Sequence, residues 1–295
     1  LAMQAIADFG SEEQRAQWLP ALARGEAIGA FGLTEWDFGS DPSGIRTAAR
    51  RDGSDYLLHG TKAWITNGTI ADVAIVWARL DGARDDSRDG TIGGFLVPAG
   101  TRGFSARAIE RKLSLRASVT AELVLDDVRL PGEARLPGAQ GLGAALHCLN
   151  SARYGIVWGA VGAARACFEA ALAYAKTRVQ FERPIAAFQL TQEKLVEMAL
   201  DLGKAQLVAS RLGRLGEAAA LRPAQVSFGK LNNVRAALGV ARTARTILGA
   251  SGITLDYPIV RHMNNLESVL TYEGTSEIHT LILGQALTGF AAFGG

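Results

Sequence analysis

The sequence predicts an α+β protein of several domains, with a small antiparallel β-barrel or sandwich in the middle and a bundle of long helices at the C-terminal end. Three textures predict it. Residues 28–131 run as short β-type segments (IGAFGL, DYLLHG, KAWIT, DVAIVWARL, GGFLVP, TAELVL) parted by Gly, Asp, Ser and Arg. No helical spacer lies between them, so the strands are expected to pair antiparallel and close on themselves. After Gly138 the strands stop, and helical patterns fill about 141–177, 189–215, 223–250, 258–270 and 275–291, punctuated by Pro184, Pro223, Pro258 and glycines.

The start is helical too. Ser11 is a good N-cap, Glu12 and Glu13 suit the positive end of the first turn, and Gly25 can stop the last one. Twenty-seven residues are too few to fold alone, so 1–27 read as the remnant of a helical domain, 28–136 as a central β domain and 137–295 as a helical bundle. DGARDDSRDG, charged and poor in apolar residues, is expected to be an exposed hairpin loop.

Composition narrows the function. At 48% apolar there is ample material for a core, and 31 basic against 29 acidic residues are interspersed, giving a net charge of +2 that draws the protein to neither nucleic acid nor an anionic membrane. No apolar run approaches the roughly 20 residues that span a bilayer, and LAMQAIADFG lacks the pattern of a signal sequence, so a cytoplasmic location is expected. Cys148 and Cys167 fall in one expected helix, about 28 Å apart at 1.5 Å per residue, too far for a disulfide. The four histidines, His59, His147, His262 and His279, show no metal-ligand spacing, so no metal is expected. GAQGLG has its glycines in the wrong order for a dinucleotide loop, and neither a Walker loop nor a GxSxG elbow occurs.

Two charges stand out. Leu142, Leu146, Leu149, Ile156, Ala160, Ala163 and Cys167 follow helical spacing, and Arg153 falls on the same stripe. A guanidinium there needs an anion, either a glutamate inside the fold or an anionic ligand. In TYEGTSEIH, Glu273 sits between an aromatic ring and a glycine just before an apolar helix. It could simply cap that helix, or serve as a base whose proton affinity rises when water is excluded.

FGLTEWDFGSD (31–41), KAWITNG (62–68), TRVQFERPI (177–185), ILGASGI (247–253) and TYEGTSEIH (271–279), in this order and at these separations, resemble the acyl-CoA dehydrogenase family over the whole chain. KLSLRAS (112–118), NSARYGIVWG (150–159), QLTQEKL (189–195) and TYEGTSEIHTLILGQALTG are most similar to glutaryl-CoA dehydrogenases within it. The resemblance implies an N-terminal helical domain, of which Leu1 would lie near the end, then an antiparallel β-barrel domain and a C-terminal four-helix bundle. It further implies a homotetramer with one FAD per subunit, an acyl-CoA substrate, an electron-transfer flavoprotein or equivalent acceptor, and the mitochondrial matrix as location in a eukaryote.

Site residues follow from the same resemblance. Glu273 is implied as the base for the α proton, beside Tyr272 and Gly274 at the substrate. Phe31, Leu33 and Thr34 resemble the strand at the flavin's pyrimidine edge, Ser40 a pyrophosphate-side serine, and Trp64 and Thr66 the residues flanking the ring. Arg178, Gln180 and Phe181 resemble a segment that reaches the FAD of a neighbouring subunit. Thr246 and Gly249 belong to a helix-end motif with an intersubunit FAD contact, and Thr275 and Glu277 lie near the cofactor, although both could be helix caps. Asn150 and Arg153 resemble positions that contact the CoA nucleotide or pantetheine.

Some positions depart from the family pattern. Trp36 stands where proline is common, Phe38 where a small residue is usual, Thr246 where Gln, Asp or Glu is usual, and Ala250 where Gly or Ser is usual. The arginine that recognises the distal carboxylate in glutaryl-CoA dehydrogenases belongs to the N-terminal domain, ahead of Leu1. The expected reaction is therefore FAD-dependent α,β-dehydrogenation of an acyl-CoA, foremost the oxidative decarboxylation of glutaryl-CoA to crotonyl-CoA. A non-decarboxylating or short- or branched-chain dehydrogenase, and an inactive scaffold of the same fold, are the alternatives.

Overall fold

A computed structural model describes residues 1–80 and 92–292; the expected DGARDDSRDG hairpin lies outside the described residues. The chain divides into two compact units, Leu1–Lys112 with Arg116–Leu149, and Leu113–Leu115 with Asn150–Gly295. Seven α-helices and a curled sheet make up the described fold.

The first unit opens with α1 (Ala2–Phe9) and α2 (Glu12–Arg24). Ser11 and Gln14 close a capping box at the start of α2, and Gly25, left-handed at φ 70, ends it. Gln14 is buried, and its amide donates to the carbonyls of Glu133 and Arg135, tying α2 to the far end of the unit.

The sheet contains β1 (Gly29–Gly32), β2 (Ala48–Asp52), β3 (Asp55–Thr66), β4 (Val73–Leu80), β5 (Ile92–Pro98), β6 (Phe104–Ala108) and β7 (Thr120–Leu130). Their order is β1-β4-β2-β3-β7-β6, with β5 also on β4. Here the structure corrects the all-antiparallel expectation. β1 and β2 both run parallel to β4, in tandem along it, β1 beside Val73–Val76 and β2 beside Arg79–Leu80. The connection from β1 to β4 passes through β2 and β3, so a parallel pair forms without a helical crossover, a route invisible to a rule based on helical spacers. DYLLHG and KAWIT merge into the single strand β3, whose register against β7 shifts between Leu58 and Gly60 and again between Lys62 and Ile65. The second shift surrounds Trp64, a non-glycine residue at φ 62. β2 and β6, AARRD and FSARA, escape the pattern because their charged faces are exposed.

The second unit holds most of α3 (Leu142–Thr177), then α4 (Gln189–Glu217), α5 (Pro223–Leu248), α6 (Ile259–Thr271) and α7 (Ser276–Thr288), each within three residues of its expected bounds. Val157, Ala160, Val161, Ala164 and Cys167 of α3 pack with Leu202, Ala205 and Ala209 of α4 and Val234, Ala237 and Ala241 of α5. Asn233 is fully buried, and its amide donates to the carbonyls of Val157 and Ala205, so one side chain fastens three helices. Helix α3 is also long and apolar enough to cross a membrane by length and composition, with a window of mean hydropathy 1.4. Arg153 and Arg165 interrupt it, so it holds no continuous apolar run of about 20 residues. Its apolarity comes largely from alanine, whose small side chain suits close helix packing, and its Val157–Cys167 face is core. Both cysteines lie buried and free in α3, where burial pushes their thiols up, Cys148 to about 11 and Cys167 to about 12.

Candidate active site

In the second unit, α6 ends at Thr271, Tyr272 is its C-cap, and α7 begins at Ser276 after its N-cap Thr275, whose hydroxyl accepts from the Ile278 amide. Glu273 and Gly274 form the turn between. Both are left-handed, φ 50 and φ 91. A non-glycine residue in that region is strained by about 1–2 kcal/mol and persists only where its surroundings enforce it. Gly274 is required twice, for its backbone and for space. A Cβ there would lie 2.9 Å from His279 Nε2 and 3.5 Å from an Arg153 guanidinium nitrogen.

The turn is gripped by two buried cations. Arg153 of α3, 8% exposed, donates from Nε to the Glu273 carbonyl at 2.8 Å and from its terminal nitrogen to Asn150 Oδ1 at 3.1 Å. Lys230 of α5, 2% exposed, donates to the carbonyls of Tyr272 and Gly274. His279 of α7 is also buried, its ring against the Glu273–Gly274 backbone, and neither ring nitrogen makes a well-formed hydrogen bond among the described residues. Burial, with Lys230 and Arg153 adding to it, pulls its pKa down to about 4, so the ring is neutral at neutral pH.

Glu273 Oε2 is buried without a partner. Burial raises the pKa of its carboxyl above the ordinary 4.5, while Lys230 and Arg153 oppose that rise. Such a group is a stronger base than a solvated glutamate yet keeps its anion accessible. The Glu273 N–H makes no hydrogen bond among the described residues, leaving a donor for a developing oxyanion. One consequence is measurable in pH profiles of kcat and kcat/KM. A base accepts a proton only when deprotonated, so the rate should rise with pH along an acidic limb whose midpoint lies above 4.5. The linkage has the opposite sign for stability. The folded state holds this proton more tightly than the unfolded chain, so the stability contributed below pH 4.5 is lost as pH climbs through the raised value.

The remaining expected site residues fall into two groups. In the first unit, the Ala63 amide donates to the Thr34 carbonyl at 2.8 Å, which places Thr34 beside Trp64. Trp64 is 53% exposed and meets Trp36 edge to face, ring centroids 5.4 Å apart. Trp36 Nε1 donates to Glu122 at 2.8 Å. Thr66 and Ser40 are exposed, Thr34 is half-buried, Phe31 packs on Trp77 and Leu33 is buried. None of the three hydroxyls has a protein partner among the described residues. Thr34 and Thr66, with open hydroxyls near the uncovered indole of Trp64, could hold a planar, polar-edged ring such as isoalloxazine.

In the second unit, Arg178, Gln180 and Phe181 lie on an exposed two-strand hairpin just past α3, with Phe181 89% exposed at φ 50. Thr246 bonds back to the Arg242 carbonyl, Gly249 ends α5 at φ 58, and Glu277 is exposed in the first turn of α7. Asn150 and Arg153 are brought together, but the immediate partner of Arg153 is the carbonyl of Glu273 rather than an internal carboxylate.

Lys230, His279 and the Lys62–Glu35 pair are the residues that sequence reasoning missed. Lys230 follows Val226 and precedes Val234 and Ala237 on the buried face of α5, the same stripe rule that singled out Arg153. Elsewhere, His59, Asp126 and Asp127 form an exposed trio with ligand atoms within 4.8 Å of one another, brought together by the β3–β7 pairing; such exposed acidic groups are common without an ion.

Residues 1–26, 30–128 and 139–288 match the N-terminal, middle and C-terminal domains of acyl-CoA dehydrogenases. The fold superposes on the crystal structure of a glutaryl-CoA dehydrogenase from Mycobacterium smegmatis with a TM-score of 0.96 at 65% identity, covering all of this chain and 74% of that one. A structure of a glutaryl-CoA dehydrogenase from the same organism, in complex with FADH2, matches at 62% identity and the same TM-score, again over all of this chain and 74% of that one. The short-chain specific acyl-CoA dehydrogenase of Bos taurus mitochondria is 38% identical over 280 residues, 94% of this chain and 67% of the relative.

Proposed function

The chain belongs to the acyl-CoA dehydrogenase family, and from that premise we propose that it oxidises and decarboxylates glutaryl-CoA to crotonyl-CoA. The observation that carries the choice of substrate is the 65% identity to a glutaryl-CoA dehydrogenase over the whole chain, against 38% to a short-chain enzyme.

Loss of the α proton is hard because the electrons must spread onto the thioester carbonyl oxygen. Glu273 takes that proton, and its own N–H, which makes no hydrogen bond among the described residues, is the donor assigned to the oxygen where charge develops. Bound FAD supplies the acceptor for the β hydride. The new double bond joins the γ carbon to the thioester, so CO2 can depart from that carbon while the electrons of the broken bond delocalise through the double bond to the thioester carbonyl. Glu273, now protonated, returns a proton to the carbon skeleton and is restored. We assign Asn150 and Arg153 to the CoA side, Thr34, Ser40, Trp64 and Thr66 with Phe31 and Leu33 to the flavin. Arg178, Gln180, Phe181, Thr246 and Gly249 are assigned to the FAD of a neighbouring subunit, Thr275 and Glu277 to its surroundings, and Tyr272 and Gly274 to the thioester.

A homotetramer fits this arrangement, since the described residues leave Phe181 89% exposed at the tip of its hairpin. Leu207, Leu215, Phe228 and Leu283 also line an open apolar groove of about 570 Å3 between α4, α5 and α7. An electron-transfer flavoprotein or equivalent is the acceptor proposed, with the cytoplasm as location, or the mitochondrial matrix in a eukaryote.

Purified full-length protein given glutaryl-CoA and a redox dye should bleach the dye and release CO2. Turnover of butyryl-CoA with no response to glutaryl-CoA would move the assignment to a short-chain enzyme. A product two hydrogens lighter, without CO2, would indicate the non-decarboxylating alternative that the Trp36 and Phe38 departures motivate.

A further inference from the structure

Lys230 is a buried ammonium that forms no ion pair among the described residues, although the Glu273 carboxyl feels its charge. Among the described residues its nitrogen bonds only two oxygens, the backbone carbonyls of Tyr272 and Gly274, the latter at 2.5 Å. A methionine would fill the same volume on the buried face of α5 without the cost of desolvating a charge, so packing alone does not account for the lysine. Its contacts stop at one turn. They bracket Glu273, and with Arg153 on the carbonyl between, three successive carbonyls are held by cations from α3 and α5.

Geometry explains why two carbonyls two residues apart can share one ammonium. With Glu273 at φ 50 and Gly274 at φ 91, the backbone curls so that both oxygens reach the same nitrogen. The converse holds as well: an ammonium fixed in α5 admits only that curl. Released from it, Glu273 would relax from the left-handed region toward the conformations that non-glycine residues prefer, and its carboxyl would swing with the backbone. Among the other ionisable groups around the turn, Arg153 on α3 holds the Glu273 carbonyl and the His279 ring on α7 lies against the backbone of Glu273 and Gly274, while among the described residues the Tyr272 carbonyl takes its side-chain donor from Lys230.

We propose that Lys230 is a positioning residue for proton abstraction: it locks the left-handed turn that aims the Glu273 carboxyl. The inference rests on Glu273 being the base. Misplacement of a catalytic group by about 1 Å costs on the order of 10²-fold in rate, which sets the effect expected.

The test isolates proton abstraction from oxidation. Acetyl-CoA has α hydrogens but no β carbon, so it cannot be dehydrogenated, and incorporation of deuterium from D2O into its methyl group reports the base alone. FAD-loaded full-length wild-type protein, Glu273→Gln, Lys230→Met and Lys230→Arg are compared at saturating acetyl-CoA, with its Kd and thermal melting measured alongside. Wild type should exchange and Glu273→Gln should not. Lys230→Met should exchange about 10²-fold more slowly with Kd changed little, and Lys230→Arg, which keeps donors for both carbonyls, should recover most of the rate. Lys230→Gln, which loses the charge and the reach, replaces the methionine variant if that one does not fold. Exchange by the methionine or glutamine variant at the wild-type rate overturns the role of Lys230 and leaves Glu273 as base. So does a loss of rate matched by an equal loss of binding and a melted bundle. Exchange by Glu273→Gln at the wild-type rate overturns the base assignment itself.

Discussion

Replacing Glu273 by glutamine lowers kcat for thioester oxidation by about 10³–10⁴-fold, near the upper end of what one positioned base contributes. The amide keeps the size of the side chain and cannot take the proton. The backbone grip should survive, because Arg153 and Lys230 hold carbonyls of the turn rather than the carboxylate. FAD content and the affinity for acyl-CoA should therefore stay within a few-fold of wild type. Steady-state kinetics with a redox dye and a flavin-to-protein absorbance ratio check both halves. A variant that loses its flavin along with its activity would indicate a collapsed turn and would say nothing for proton transfer.

Glu35→Ala destabilises the first unit by about 3–5 kcal/mol, the usual cost of stripping one partner from a buried ion pair. Lys62 is fully buried, and its ammonium bonds Glu35 Oε1 at 2.8 Å and the Leu33 carbonyl at 3.0 Å. Glu35 also accepts from the amides of Arg46 and Thr47 and from the Thr47 hydroxyl. Burial opposes both charges. It pulls Lys62 down to about 8, whereas Glu35, pushed up by its own burial, is held below the ordinary range by Lys62 and its hydrogen-bond donors. Chemical denaturation measures the loss. Glu35→Leu combined with Lys62→Met should recover most of it, because the cost arises from the orphaned charge rather than from a missing attraction. Since Glu35 lies between Thr34 and Trp36, FAD affinity should fall in the single variant more than melting alone explains.

The helices were legible in the sequence and the sheet only in part, for physical reasons. A helix announces itself locally, through the 3.6-residue period of α3 to α7 and the Ser11 and Gly25 stops, so its bounds fall within three residues of those observed. A strand's partner is chosen elsewhere in the chain. Nothing within GAFG or AARRD tells that both will lie parallel to β4, and the merging of two expected strands into β3 depends on register shifts set by β7. The site divides along the same line. Glu273, Trp64 and Arg178 were nominated because they sit in contiguous motifs. Lys230 lies 43 residues before Glu273 inside an apolar helix face and shows its purpose only once α5 brings it beneath the turn. The left-handed Glu273 was equally hidden, since a φ of 50 at a glutamate follows from the grip on its neighbours and from no local preference.

The central claim is that one carboxyl begins the chemistry that bound flavin completes. Anaerobic addition of glutaryl-CoA to the FAD-loaded full-length protein, followed by flavin absorbance in a rapid-mixing instrument, tests it most directly. The account predicts fast loss of the oxidised flavin band in wild type and a rate about 10³-fold or more slower in Glu273→Gln at equal FAD content; bleaching of that variant at the wild-type rate would contradict it.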